Sequence, residues 1–187
     1  MKVLIIDNHT KHLKELVSIF DKTDVVQKEN LTADFDLSPY GLLVISGGSG
    51  VPTVLDNPDQ YLTELKLVRA SNLPILGICL GSEILAQAFG GKLRRLEAPH
   101  RGIVKLDVQK DSLKRVLASD SIKVHESHKI GIEVSPPDFE VCAKSDHGIE
   151  IIKHRSRLII GIQFHPEISK SDQLLRWIFD SLNLGTV

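Results

Sequence analysis

The sequence predicts an α/β fold whose first half is a parallel sheet, and two features carry that prediction. Short apolar, β-branched runs alternate with amphipathic stretches through the first half: Val3–Ile6, Leu13–Phe20, Leu42–Ile45, Tyr61–Val68, Ile75–Ile78 and Ile84–Phe89. This alternation implies βαβ units. The second half instead reads as successive strands with turns between them, which predicts antiparallel additions to the sheet.

Taken in order, Val3–Ile6 opens the sheet, and a helix is predicted over residues 9 to 21. There Leu13, Leu16, Val17 and Phe20 recur at three- and four-residue steps, while Lys11, Lys14 and Glu15 face water. Leu42–Ile45 is a strand running into Ser46-Gly47-Gly48-Ser49-Gly50, and Ile75–Ile78 is a strand running into the helical pattern of Ile84, Leu85, Ala88 and Phe89. Lys92–Leu96, Ile103–Val108, Ile122–His125, Phe139–Ala143, Ile149–Lys153 and Leu158–Phe164 read as further strands. A last helix from about Lys170 to Leu182 carries Leu174, Leu175, Trp177, Ile178, Phe179 and Leu182, enough to pack on the sheet. No internal repeat or low-complexity linker interrupts the chain, so residues 1–187 are expected to form a single domain.

The composition bounds the function. A chain of 187 residues that is 42% hydrophobic and 25% charged can bury a sizeable core. With 23 Lys+Arg against 24 Asp+Glu and no basic stripe, it lacks the electrostatic footprint of a nucleic-acid binder. The first residues hold too short an apolar stretch for a signal peptide and no run reaches membrane-spanning length, so a soluble, cytoplasmic protein is expected. The two cysteines, Cys79 and Cys142, sit in unlike contexts, which gives no reason to pair them. The usual ligand spacing of a zinc site is absent, and no metal is expected.

Gly77-Ile78-Cys79-Leu80-Gly81 lies where an apolar strand turns into a helix. This is a nucleophile elbow with sulfur in place of oxygen. A tight strand-to-helix turn strains the backbone of its middle residue, and glycines two before and two after leave room for the close chains. Placement at a helix N-terminus also favours the thiolate. The alternative is a buried structural cysteine.

A cysteine nucleophile needs a base, and the base a group that orients it. His165-Pro166-Glu167 offers both, at the end of the strand Leu158–Phe164, on the sheet edge that presents ligand-binding groups. Extended geometry through Pro166 would point His165 and Glu167 to one side. An ordinary surface His and Glu in a proline turn is the competing interpretation. Seven other histidines compete for the role, at positions 9, 12, 100, 125, 128, 147 and 154, but none has both a strand-end position and a carboxylate two residues on. The Gly47-Gly48 turn admits two readings, a phosphate cradle or one half of an oxyanion hole completed by the Leu80 N–H. No Walker ending follows it, and Gly50-Val51 stands where an ATP pyrophosphatase loop has Asp-Ser, so the oxyanion reading leads.

With Gly77-Ile78-Cys79-Leu80-Gly81 and Gln163-Phe164-His165-Pro166-Glu167 in this order, the chain resembles the triad-type, class I glutamine amidotransferases over nearly its whole length. The resemblance implies a flavodoxin-like three-layer α/β sandwich with a mixed, mostly parallel central sheet. It implies a glutamyl-thioester on Cys79, His165 as general acid/base, Glu167 as its orienter, and Gly48 and Leu80 as oxyanion donors. It further places Gly50, Glu83, Ser127 and His128 at the bound substrate, glutamine. Within the family, Asp7-Asn8, Ser127-His128 and the stretch 137–145 resemble the free-standing glutaminase subunit of archaeal-type GMP synthase.

That branch implies ammonia delivery to an ATP pyrophosphatase-type synthase subunit making GMP from XMP. No cofactor is then expected in this chain, ATP and Mg belonging to the partner, and the Ser127-His128 loop faces that partner. Glu83 replaces the family's usual Gln, Ser49 replaces a Pro, and the acidic residue usual after Ser-His is missing. These departures keep a stand-alone γ-glutamyl hydrolase, a catalytically silent regulatory subunit, and service to an anthranilate or aminodeoxychorismate synthase in view.

Overall fold

The computed structural model describes residues 1–169 and 171–185. Nine strands form one sheet, numbered in chain order as β1 (Val3–Asn8), β2 (Thr23–Gln27), β3 (Leu42–Gly48), β4 (Ile75–Ile78), β5 (Lys92–Val108), β6 (Ser121–Val134), β7 (Phe139–Ser145), β8 (Gly148–His154) and β9 (Ile159–Ile162). Their spatial order is β2-β1-β3-β4-β9-β8-β6-β5-β7. Helices α1 (Leu13–Val17), α2 (Leu62–Ala70), α3 (Leu80–Ala88), α4 (Asp111–Leu117), α5 (Pro166–Ser169) and α6 (Asp172–Ser181) connect or follow them.

Period-two alternation in the buried strands feeds two cores. Val3, Ile5, Leu42, Val44, Leu76 and Ile78 point to one face and pack with Leu16 of α1, Leu113 of α4 and Leu174, Trp177 and Ile178 of α6. Leu4, Ile6, Leu43, Ile45 and Ile75 point to the other, against Leu65 and Val68 of α2 and Ile84 and Leu85 of α3. Helices therefore cover both faces of the sheet. Ser171 caps α6 by accepting from the Leu174 N–H at 3.3 Å, and Trp177 Nε1 donates to the Ser112 hydroxyl at 3.2 Å, tying α6 to α4.

Several expectations are corrected. The sheet is not mostly parallel: among the described residues, β1–β2, β1–β3, β3–β4 and β4–β9 pair in parallel, and the five other pairings are antiparallel. The predicted strands at 92–96 and 103–108 are parts of one 17-residue strand, β5, whose register slips between Arg95 and His100. The helix predicted over 9 to 21 contracts to Leu13–Val17, since His9 takes φ 63° and residues 18–22 turn back into β2. The last helix begins at Asp172; its predicted start, Lys170, lies outside the described residues. The strand before His165 ends at Ile162, and Pro166 opens α5 instead of prolonging an extended segment.

Candidate functional site

β4 is buried throughout and hands over to α3 at Cys79, which takes φ 50° and ψ −106°. A positive φ at a residue with a Cβ is strained and is held by its surroundings. The Cys79 N–H donates to the Ile162 carbonyl at 2.7 Å, pinning the turn to β9. The flanking glycines are required by contact: a Cβ on Gly81 would run into the Ile45 carbonyl, and one on Gly77 would come within 2.6 Å of the Gly81 carbonyl oxygen.

Across from it, His165 starts the α5 turn. Its N–H donates to the His125 carbonyl of β6 at 3.1 Å, and its own carbonyl accepts from the Ser169 hydroxyl at 2.6 Å. His165 Nδ1 lies 2.7 Å from Glu167 Oε1, with the Glu167 side chain almost fully buried. The expected pair therefore exists, but a helical turn joins it where extended geometry is predicted. A Cβ placed on Gly47 would lie 3.0 Å from His165 Cε1 and 3.3 Å from Cys79 Cβ, so this glycine lets the strand-end loop approach both groups.

Cys79, His165, Gly48, Leu80, Gly50, Glu83, Ser127 and His128 all line one cavity of about 540 Å³. Glu167 stands behind His165. Ser127 and His128 belong to strand β6, which corrects the expectation of a loop, and His128 is buried with its Nδ1 2.7 Å from the Ile130 carbonyl. The Cys79 thiol donates to the Ser127 carbonyl at 3.9 Å.

The electrostatics differ from the dipole argument. Burial pushes the Cys79 thiol well above its ordinary range, and Glu83 adds to that, while the Leu80 N–H pulls the other way. Glu83 itself is pushed up to about 8 by burial, against the pull of Gln163 and Lys129. Its Oε1 accepts from Gln163 Nε2 at 3.2 Å, and its Oε2 has no partner. A neutral carboxylic acid is thus favoured beside the thiol at pH 7.

The cavity also gathers residues that no motif assigns to it: Lys11, His12, His100, Arg101 and Lys129. His12 sets its ring edge-on to His165 at 5.1 Å between centroids, and burial, followed by His165, lowers its proton affinity. Nothing in its local sequence marks it, since the contact arises from the packing of α1 against α5.

A family model described as glutamine amidotransferase class-I matches residues 4–184. Anthranilate synthase component 2 of Archaeoglobus fulgidus is 34% identical over 174 residues, covering 92% of this chain and 90% of that protein. The glutamine-hydrolyzing GMP synthase subunit of Pyrococcus abyssi is 33% identical over 144 residues, covering 73% of this chain and 70% of that one. Among solved structures, a Thermoplasma acidophilum protein assigned as a GMP synthase subunit superposes with a TM-score of 0.81 at 26% identity, covering 98% of this chain and 94% of that one. A Thermotoga maritima glutamine amidotransferase shares the fold, with a TM-score of 0.70 at 20% identity over 98% of this chain and 83% of its own. No described helix is long and apolar enough to cross a membrane. The match over residues 4–184, joined to a cysteine elbow facing a histidine–glutamate pair, makes this chain a member of the class-I glutamine amidotransferases, enzymes of the glutamine-hydrolysing type.

Proposed function

We propose that residues 1–187 form one glutaminase domain that releases ammonia from glutamine for a separate ATP-using synthase subunit, which converts XMP to GMP. The observation that carries the reading is the convergence of the Cys79 elbow, the His165–Glu167 pair and the Gly48 and Leu80 backbone on one cavity. In this reading Cys79 sulfur attacks the γ-amide carbonyl as His165 takes the thiol proton, and Glu167 holds the imidazole. The N–H groups of Gly48 and Leu80 stabilise the oxyanion. His165 then protonates the leaving ammonia, and water, deprotonated by the same ring, resolves the thioester to glutamate.

The high proton affinity of the buried thiol favours concerted proton removal over a preformed thiolate. Glutamine carries both charges of an amino acid, and the cavity offers complements to each: Lys11, Arg101 and Lys129 for the α-carboxylate, Glu83 for the ammonium. Gly50 and the Ser127-His128 segment complete the substrate wall. The chemistry draws on side chains and backbone alone, so ATP and Mg are assigned to the partner.

The GMP assignment leans on the relatives named as glutamine-hydrolyzing GMP synthase subunits and on the Thermoplasma structure. A second reading keeps the same chemistry and changes the acceptor: the Archaeoglobus anthranilate synthase component aligns over a larger share of the chain. Glutamine hydrolysis by the purified chain, alone and mixed with each candidate synthase partner, tests both. Cys79→Ala should reduce glutamate release by at least about a thousandfold; retention of most activity would overturn the mechanism. Glutamine-dependent GMP from XMP and ATP supports the first acceptor. Anthranilate formation instead would replace it with the second, and glutamate release indifferent to every synthase would favour a stand-alone hydrolase.

A further inference from the structure

A cluster of imidazoles and carboxyls lies where β5, β6 and the β7–β8 turn meet, beside the cavity and apart from Cys79, His165 and Glu167. His100 is paired with His128 across β5 and β6, Glu126 sits two residues before His128, and His147 comes from the turn. One ligand-type atom each from His100, Glu126 and His147 falls within 4.8 Å of the other two.

Glu126 is fully buried, and both His147 Nδ1 at 3.0 Å and His128 Nε2 at 3.2 Å converge on its Oε2. Its Oε1 has no partner, and neither has the buried Nε2 of His100, whose ring lies 4.1 Å from that of His147 between centroids. Leaving a buried carboxylate oxygen and an imidazole nitrogen unpaired is unfavourable, so two open acceptor or ligand positions facing one point call for a cation.

We propose that His100, Glu126 and His147 bind a divalent transition-metal ion of the zinc type in the wall of the glutaminase cavity. Two imidazoles and one carboxylate are a recurrent zinc set. Metal–ligand distances of about 2.0–2.1 Å in a tetrahedron place neighbouring ligand atoms roughly 3.3 Å apart, close to the Glu126–His147 separation. His128, anchored on the Ile130 carbonyl at 2.7 Å, keeps the Glu126 carboxylate aimed at the other two rings, as outer residues do around metal ligands. The ligands stand at positions 100, 126 and 147, so no short sequence spacing announces them.

The ion takes no part in thioester chemistry. His100 and His128 both line the cavity, and Ser127, whose carbonyl holds the Cys79 thiol, lies between Glu126 and His128. Metal on this group clamps β5 to β6 beside the resting thiol. The binding claim stands independently of which synthase is served.

Zinc titration of the chelator-treated Cys79→Ala chain by calorimetry tests the site without capture by the catalytic thiol. One zinc per chain is expected, together with a higher melting temperature. His100→Gln and His147→Gln, built in that same background, should each weaken zinc by at least about tenfold. Circular dichroism without metal should match the parent, since His147 is half-buried in a turn. If a variant fails to fold, the visible absorption of the cobalt(II)-loaded Cys79→Ala chain decides, with tetrahedral bands of nitrogen and oxygen ligation expected. Absence of saturable zinc binding, affinity unchanged in both variants, or cobalt showing only the spectrum of the hydrated ion would overturn the proposal.

Discussion

The two halves of the sheet differ in what they leave exposed. In the parallel half, β4 and β9 are buried at every position, and their ends deliver Cys79 and the approach to His165. In the antiparallel half, β5 buries only Leu96, Leu106 and Val108 of its 17 residues. Yet both halves build the cavity: the first supplies the elbow and its backbone donors, the second His100, Ser127 and His128. His165 follows β9, which pairs in parallel with β4 and antiparallel with β8, so the base sits on the seam. The reacting atoms are thus held by the half with least freedom to move, and the groups that shape and tune the pocket come from the half with most contact with water.

The largest effect on stability should come from tightening the elbow further. Gly81→Ala places a methyl group against the Ile45 carbonyl, a backbone atom that cannot rotate away, and Gly77 is crowded by Gly81 in turn. A loss of about 3 kcal/mol in urea unfolding is expected, at the upper end of overpacking penalties. A loss below about 1 kcal/mol would show that α3 can back away from β3, and the contrast in rigidity between the halves would then fail.

This contrast also governs what is legible in the sequence. β4 and β9 announce themselves as apolar runs, and Gly77, Cys79 and Gly81 mark the elbow by spacing alone. β2 escapes a reading of the pattern because Thr23–Gln27 is a half-exposed edge strand whose polar Asp24 and Gln27 break it. α4 escapes because a seven-residue helix burying only Leu113 shows little periodicity. The polar stretch Glu97-Ala98-Pro99-His100 suggests a break in β5, where the strand continues through a register slip. The His165–Glu167 pair emerges through a rule of extended geometry that α5 does not obey. Contacts such as His12 against His165, or His147 against Glu126, depend on segments brought together by the fold, and no local pattern encodes them.

Glu83 offers a smaller, pH-dependent test at the junction of the two halves. Burial raises its carboxyl to about 8, so between the ordinary carboxylate range and about pH 8 the folded chain keeps a proton that the unfolded chain has lost. Folding stability contributed by this group is therefore present at acid pH, falls as pH rises through that window, and levels off above it. Glu83→Gln removes the titration. Relative to the parent, the variant should gain stability from pH 5 to pH 8, by about 2 kcal/mol if water in the cavity relaxes part of the burial effect. Its Cys79 should also alkylate faster at pH 9, because the Glu83 carboxylate no longer raises the thiol. A stability difference that is flat with pH would mean the carboxyl is ionised in the folded chain at pH 7.

The smallest effect belongs to the outer face of the antiparallel half. Ile103 lies in β5 opposite His125 and is 73% exposed, the most open of the exposed large hydrophobic residues. Since little of it is removed from water on folding, replacing it loses almost no burial, and lysine is well suited to a solvated strand position. Ile103→Lys should change unfolding free energy by less than about 0.5 kcal/mol, well below the effect at the elbow. Loss of more than about 1 kcal/mol would mean that β5 packs against something on that face. If stability holds while ammonia transfer to the synthase drops, with glutamate release unchanged, the exposed isoleucine serves docking, and the water-facing half of the sheet is where the partner is read.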